Sequence, residues 1–228
     1  ATRGYRHDVL VMNGNGGMVS ARFVANEAAK TVMSGPASGV MAAAYTGRRA
    51  GIPNLITYDM GGTSTDVALI RGAEPAVSNE IEDEYAMPIH VPMVDVRTVG
   101  AGGGSIARVT AAGLLQVGPE SAGASPGPIC YGRGGTRPTI SDANLLLGRV
   151  QPEHFPRVFG PDGDQPLDEA ATRRGFAELT AQVVTATGRT DLTPETVAEG
   201  FLRIAVENMA NAIKKISVQR GHDVTGYT

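Results

Sequence analysis

Two carboxylates bracket a run of glycines and hydroxyls in Asp59-Met60-Gly61-Gly62-Thr63-Ser64-Thr65-Asp66. Glycine lets a backbone N–H approach a ligand closely and tolerates positive φ. Successive N–H groups in a turn form a concavity that binds anions, and Thr63, Ser64 and Thr65 add short hydroxyl donors. A carboxylate beside such a turn suits Mg2+, which takes one or two carboxylates together with phosphate oxygens and water. Phosphoryl transfer relies on positioning and charge stabilisation, and Asp59 at a strand end could orient a metal-bound or attacking water. The same residues also make an ordinary Gly-Gly hairpin turn in which an aspartate bonds its own backbone. Turn chemistry alone leaves both readings open.

A second glycine-rich stretch, Gly100-Ala101-Gly102-Gly103-Gly104-Ser105, carries serine where a dinucleotide fingerprint ends in glycine. It is weak as that motif. As a nest after a strand it could hold phosphate or an activated carbonyl; it is equally a flexible turn. Asp95 and Arg97 lie on one face of the preceding strand, because side chains alternate with period two. Arg97 could contact phosphate or carboxylate, or form a salt bridge with Asp95. Cys130 is the sole thiol. No histidine lies near it in sequence to lower its pKa, so it reads as buried and inert. His7, His90, His154 and His222 show no metal-ligand spacing and read as surface or structural residues.

The elements that must position these residues follow from pattern. Asp8–Met12 reads as a buried strand closed by the turn Asn13–Gly17. Ser20 N-caps a helix expected to run to Lys30. Another helix starts at Ser34, with Pro36 in its first turn, and ends near Arg48, Arg49 and Gly51. Apolar strands flank the 59–66 turn; Glu74–Glu84 is acidic and irregular; Val94–Val99 is a strand. Strands at 106–110 and 114–117 flank Ala111-Ala112-Gly113, a hairpin signal. So many Gly and Pro fall in residues 118–140 that no regular element is expected, and loops of that length are usually functional or disordered. Ser141-Asp142 caps a short helix to Leu147, and residues 151–167 are a connector. Helices follow at 168–187 and 194–219, the second with Thr193 as N-cap and Pro194 as first residue. In it Val197, Phe201, Ile204, Ala205, Met209, Ala212, Ile213 and Ile216 recur at helical spacing; Lys214, Lys215 and Arg220 sit where the helix dipole favours cations.

At 228 residues the chain can bury a proper core. A net charge of −3 leaves no electrostatic footprint for nucleic acid or anionic membrane, and no apolar stretch approaches a membrane span. One cysteine excludes an internal disulfide framework and fits a reducing cytoplasm, the expected location. Thirty glycines and no tryptophan favour a loop-rich α/β enzyme lobe over a helical bundle.

Asp-Met-Gly-Gly-Thr-Ser-Thr-Asp resembles the second phosphate loop of the hydantoinase A / 5-oxoprolinase family, within the actin-like ATPase superfamily. Further segments match that family in order: Asn15-Gly16-Gly17, Met33–Val40, Pro92–Val96, Val99–Ile106, Val117–Ala124, Pro126–Gly132 and Ser141–Leu145. The series covers about residues 10–150. The resemblance implies an α/β lobe of the actin-like (ribonuclease H-like) fold, a mixed sheet with flanking helices. Residues 1–150 would form the hydantoinase A-type ATPase lobe and 151–228 a helical C-terminal region of the same domain. It implies ATP and Mg2+ as cofactors, with Asp59 and Asp66 catalytic and Asp59 holding the Mg2+. Gly61, Gly62, Thr63, Ser64 and Thr65 would bind nucleotide phosphate; Asp95, Arg97, Gly102, Gly103, Gly104 and Ser105 would form a substrate or phosphate loop. Many relatives carry histidine where Arg97 stands, so a metal or acid–base role is not carried over there. The activity implied is ATP-dependent hydrolysis of a cyclic amide of hydantoin or 5-oxoproline type, with a hydantoinase B-type partner subunit or domain. Alternatives are an ATP-dependent acetone- or acetophenone-type ketone carboxylase subunit and a non-catalytic nucleotide-binding module. The chain is expected to be a middle region of a longer subunit, since the family pattern includes an upstream Asp-Gly-Gly-Thr loop and a later adenosine-binding turn.

Overall fold

The computed structural model describes residue 4, residues 6–78 and residues 91–228. His90 and the part of the acidic stretch from residue 79 onward lie outside the described residues. The chain divides into two compact units that interleave along the sequence: Ala1–Asp59, Asp66–Thr98 and Ala212–Thr228 make the first, Met60–Thr65 and Val99–Asn211 the second.

In the first unit, strands β1 (Leu10–Met12) and β2 (Met18–Ser20) pair antiparallel around the glycine turn. Ser20 caps the next helix, accepting from the Phe23 N–H. That helix, α1, covers only Ala21–Val24, and a separate 3-10 turn occupies Ala28–Thr31. It was expected to reach Lys30, but Lys30 instead offers its carbonyl to the Gly14 N–H at 2.7 Å, a tertiary bond that helical periodicity does not report. Helix α2 (Ser34–Ala50) starts and stops where its sequence indicates, closed by Gly51 at φ 73°, the left-handed geometry glycine allows at a helix C-terminus. Its small residues bury one face. Ala37, Val40 and Ala44 pack with Ala68, Ile70 and Val94 of the strands.

Those strands are β3 (Leu55–Met60), β4 (Thr65–Arg71), β5 (Glu74–Pro75), β6 (Val77–Ser78), β7 (Met93–Val94) and β8 (Val96–Val99). β4 lies between β3 and β5 and also pairs β8; β6 pairs β7 in a sheet of its own. The single strand expected over Val94–Val99 is therefore split at Asp95, whose N–H donates to the Ala76 carbonyl at 2.9 Å.

The second unit is built on the antiparallel pair β9 (Ser105–Val109) and β10 (Leu115–Ser121), joined through Gly113 at φ 77°. β10 outruns its expected end at Val117 by way of a register shift between Val117 and Ser121, with Gly118 at φ 62°. A bulge of this kind lets a Gly-Pro stretch stay on a strand. Helix α3 (Ile140–Leu146) is capped two residues before the expected Ser141. Thr139 is its N-cap, in a reciprocal capping box with Asp142. Helices α4 (Glu169–Thr187) and α5 (Pro194–Ile216) carry Asp168 and Thr193 as caps, the latter accepting from the Thr196 N–H at 3.2 Å. Phe176, Leu179 and Val183 of α4 meet Val197 and Phe201 of α5 over Ala107 and Val117, with Ile140, Ala143 and Leu146 completing the core.

Candidate functional site

Four residues, 61–64, join β3 to β4. Parallel strands need a crossover of a dozen or more residues, so these paired strands are antiparallel and the turn closes a hairpin. The Gly61 N–H donates to the Ser64 carbonyl at 2.8 Å. Asp59 is the penultimate residue of β3 and is exposed; Asp66, second in β4, is half-buried and accepts from the Thr98 hydroxyl at 2.6 Å. Gly61, Gly62 and Thr63 are exposed. Among the described residues, no acceptor takes the N–H of Gly62, Thr63 or Ser64, and the hydroxyls of Thr63 and Ser64 are also unpaired. Three successive N–H groups thus stand open, three to five residues after Asp59 in the chain. Thr65 is different. Its side chain is fully buried and donates to the Ala101 carbonyl at 2.6 Å, so this hydroxyl braces the turn from behind instead of facing a ligand.

In the loop 100–105 the amides of residues 102–105 are all hydrogen-bonded within the structure. Read as a nest, it would offer its own amides to an anion, whereas these four already have acceptors. Gly102 N–H donates to Ser105 Oγ at 2.9 Å, Gly103 N–H to the Gly61 carbonyl at 3.0 Å and Gly104 N–H to the Gly62 carbonyl at 2.6 Å. Ser105 itself is buried, and its N–H returns to Gly102 O at 3.0 Å. The two glycine-rich loops are hydrogen-bonded to each other, an outcome that no feature of either stretch alone signals.

Asp95 and Arg97 do not form the expected salt bridge. Asp95 instead pairs with Arg220, which sits beyond the end of α5, while Arg97 is exposed with no hydrogen-bond or ion-pair partner among the described residues. The break between β7 and β8 removes the regular alternation on which a shared face depended. Asp59 and Asp66 do come together: both line a largely apolar cleft of about 400 Å3 whose walls include Val40, Ala43, Leu55 and Val96.

Asp142, read from the sequence only as part of a helix cap, has a wider role in the structure. Its carboxylate accepts from the N–H groups of Ile129 (3.2 Å), Cys130 (2.7 Å) and Thr139 (2.8 Å) and from the Thr139 hydroxyl (2.8 Å). The Thr-x-x-Asp spacing of a capping box is the sequence signal for its bond to Thr139. Cys130 is buried, and burial first, then the charge of Asp142, push its thiol well above the ordinary range. A thiol so placed is a poor nucleophile. The described histidines do not gather. His222 Nδ1 lies 3.4 Å from the Arg71 guanidinium, and among the described residues no three His, Cys, Asp or Glu side chains are placed to hold a metal ion. No helix among them is long and apolar enough to cross a membrane.

The family model described as hydantoinase/oxoprolinase matches residues 1–228. 5-oxoprolinase 1 of Arabidopsis thaliana is 41% identical over 96% of this chain, which covers 17% of that protein. Caprolactamase subunit alpha of Pseudomonas jessenii is 38% identical over 92% of this chain and 28% of its own length. The nucleotide-free structure of acetone carboxylase, from work on ATP-dependent acetone carboxylation, superimposes with a TM-score of 0.79 at 31% identity, covering 99% of this chain and 30% of the other. The chain therefore spans about a sixth of the oxoprolinase and under a third of the other two.

Proposed function

The chain belongs to the hydantoinase/oxoprolinase family and has the α/β fold of an actin-like ATPase lobe, and on that premise we propose that it is part of an ATP-dependent amidohydrolase whose Gly61–Ser64 turn receives the nucleotide phosphates. The observation that carries the proposal is the run of unpaired N–H groups at Gly62, Thr63 and Ser64, which follows the exposed Asp59 in the chain.

ATP, when bound, would supply a phosphoryl group to the oxygen of a cyclic amide and so activate its carbon: water adds there, the ring C–N bond breaks with nitrogen leaving as the protonated amine, and a second water cleaves the resulting acyl phosphate to carboxylate and inorganic phosphate. The turn holds phosphate oxygens through its amides and the Thr63 and Ser64 hydroxyls, which neutralise charge as it develops. Asp59 fits the demands of Mg2+, which binds through one or two carboxylates plus phosphate and water and not through an all-protein cage. Asp59 orients the attacking or metal-bound water. Asp66, held by Thr98, adds negative charge on the next strand. The caprolactamase relative is a subunit by name, and a hydantoinase B-type partner completing the site belongs to the proposal. So does a cytoplasmic location, which suits a lone buried thiol.

In the protein that carries this chain, Asp59→Asn is expected to lower ATP-dependent ring opening by at least about 100-fold while ATP affinity changes only a few-fold, because the amide keeps the shape but loses the charge. Cys130→Ser retains most activity. The reverse pair of results would make the mechanism thiol-based and sink the assignment. A second reading, a ketone carboxylase subunit, is favoured by the likeness to acetone carboxylase over 99% of the chain. ATP consumption that requires both a ketone and bicarbonate, and ignores cyclic amides, would select it.

A further inference from the structure

The peptide units 61–62 and 62–63 are trans, and in a planar trans peptide the C=O and N–H point in opposite directions. The Gly61 carbonyl is directed at Gly103 N–H and the Gly62 carbonyl at Gly104 N–H. It follows that the Gly62 and Thr63 N–H groups point away from the glycine-rich loop. That loop is itself pinned from its other side: Ser141 N–H donates to Gly103 O at 2.7 Å, and Ala122 N–H to Gly104 O at 2.8 Å. We propose that Gly102, Gly103 and Gly104 are positioning residues that fix the orientation of two peptide planes, and so aim the turn's amides at the phosphate. This rests on the reading of the turn as the phosphate-binding element.

The physical need is specific. A Gly-Gly turn is conformationally permissive, and rotation of one peptide plane would present a carbonyl oxygen to an anion where an N–H is required. Two hydrogen bonds to the carbonyls hold the planes in the binding orientation before the ligand arrives, which removes an ordering cost from binding. Glycine is required for closeness, since neither Gly102 nor Gly104 has positive φ. A Cβ at Gly102 would stand 2.7 Å from the Gly61 carbonyl oxygen and 2.8 Å from that of Gly62; at Gly104 it would stand 2.9 Å from the latter. Gly100, in the same loop, has no atom within 4 Å of a built Cβ.

The test uses the protein that carries this chain, with Mg-ATP as probe. Gly102→Ala is expected to weaken ATP binding at least tenfold, while Gly100→Ala stays within twofold of the unmodified protein; equal affinities for all three would overturn the proposal. Should Gly102→Ala fail to fold, residue-resolved hydrogen exchange on the unmodified protein decides. Without nucleotide, the Gly103 and Gly104 amides exchange slowly and those of Gly62, Thr63 and Ser64 rapidly. Mg-ATP then slows Gly62–Ser64 and leaves Gly103 and Gly104 unchanged. If Mg-ATP instead acts on Gly102–Gly104 and not on the turn, the glycine-rich loop holds phosphate itself and this inference falls, although ATP binding stands. If no amide in either loop responds, the phosphate-binding reading falls with it.

Discussion

Ser64 and Thr65 carry the same functional group one position apart and end in opposite environments. Ser64 lies in the turn with its N–H open, while Thr65 opens β4 fully buried, its hydroxyl on Ala101. Cys130 shows the same dependence on surroundings, since its thiol is raised by burial and by Asp142. In the folded chain it keeps its proton at a pH where the unfolded chain has lost it, so the native state binds more protons there. The stabilisation this gives is complete below the ordinary thiol pKa of about 8.5 and declines as pH rises beyond it, by up to about 1.4 kcal/mol per pH unit. Urea titrations at pH 8 and pH 10 should therefore show a smaller loss of stability for Cys130→Ala than for the unmodified chain. Equal losses would mean the thiol titrates normally. Alkylation of the folded chain at pH 8 should be negligible and complete after unfolding.

At the scale of elements, α3 is the support on which the glycine-rich loop hangs, because Ser141 in its first turn bonds Gly103 O. Its capping box has a double function: the Asp142 carboxylate that returns to Thr139 also gathers the amides of Ile129 and Cys130. Losing the Thr139 hydroxyl removes one cap, at about 1 kcal/mol. Losing the carboxylate strands several buried donors, each at about 1–3 kcal/mol. Asp142→Ala should accordingly cost at least about 3 kcal/mol in urea denaturation and Thr139→Ala about a third of that. Similar costs for the two would show that Asp142 serves the helix alone.

Across the whole molecule, two cores are made from a chain that passes between them repeatedly, and α5 contributes residues up to Asn211 to the second unit and its last turn to the first. Phe176 and Phe201 are completely buried in the second unit, as Ile70 is in the first. Phe176→Ala should cost about 3–5 kcal/mol and Ile70→Val about 0.5–1.5 kcal/mol. With no core cluster in common, the two should add within about 0.5 kcal/mol in the double variant. A strong departure from additivity, measured by denaturant unfolding, would show the cores to be coupled.

The sequence by itself determined whatever depends on neighbours along the chain. The Gly-Gly hairpin between Asp59 and Asp66, the caps at Ser20 and Thr193, the glycine stop at Gly51 and the apolar face of α5 were all legible, because each is set by local spacing and dihedral preference. The ordered motifs likewise placed the chain in its family before any fold was seen. Tertiary structure alone decided where hydrogen bonds between distant segments go. Asp95 chose Arg220 over Arg97, the strand around it broke to bond Ala76, and Lys30 left its helix for Gly14. Most consequentially, the amides of Gly103 and Gly104 turned to the carbonyls of Gly61 and Gly62. Backbone donors and acceptors are alike in every residue but proline, so no side-chain pattern records which of them will meet.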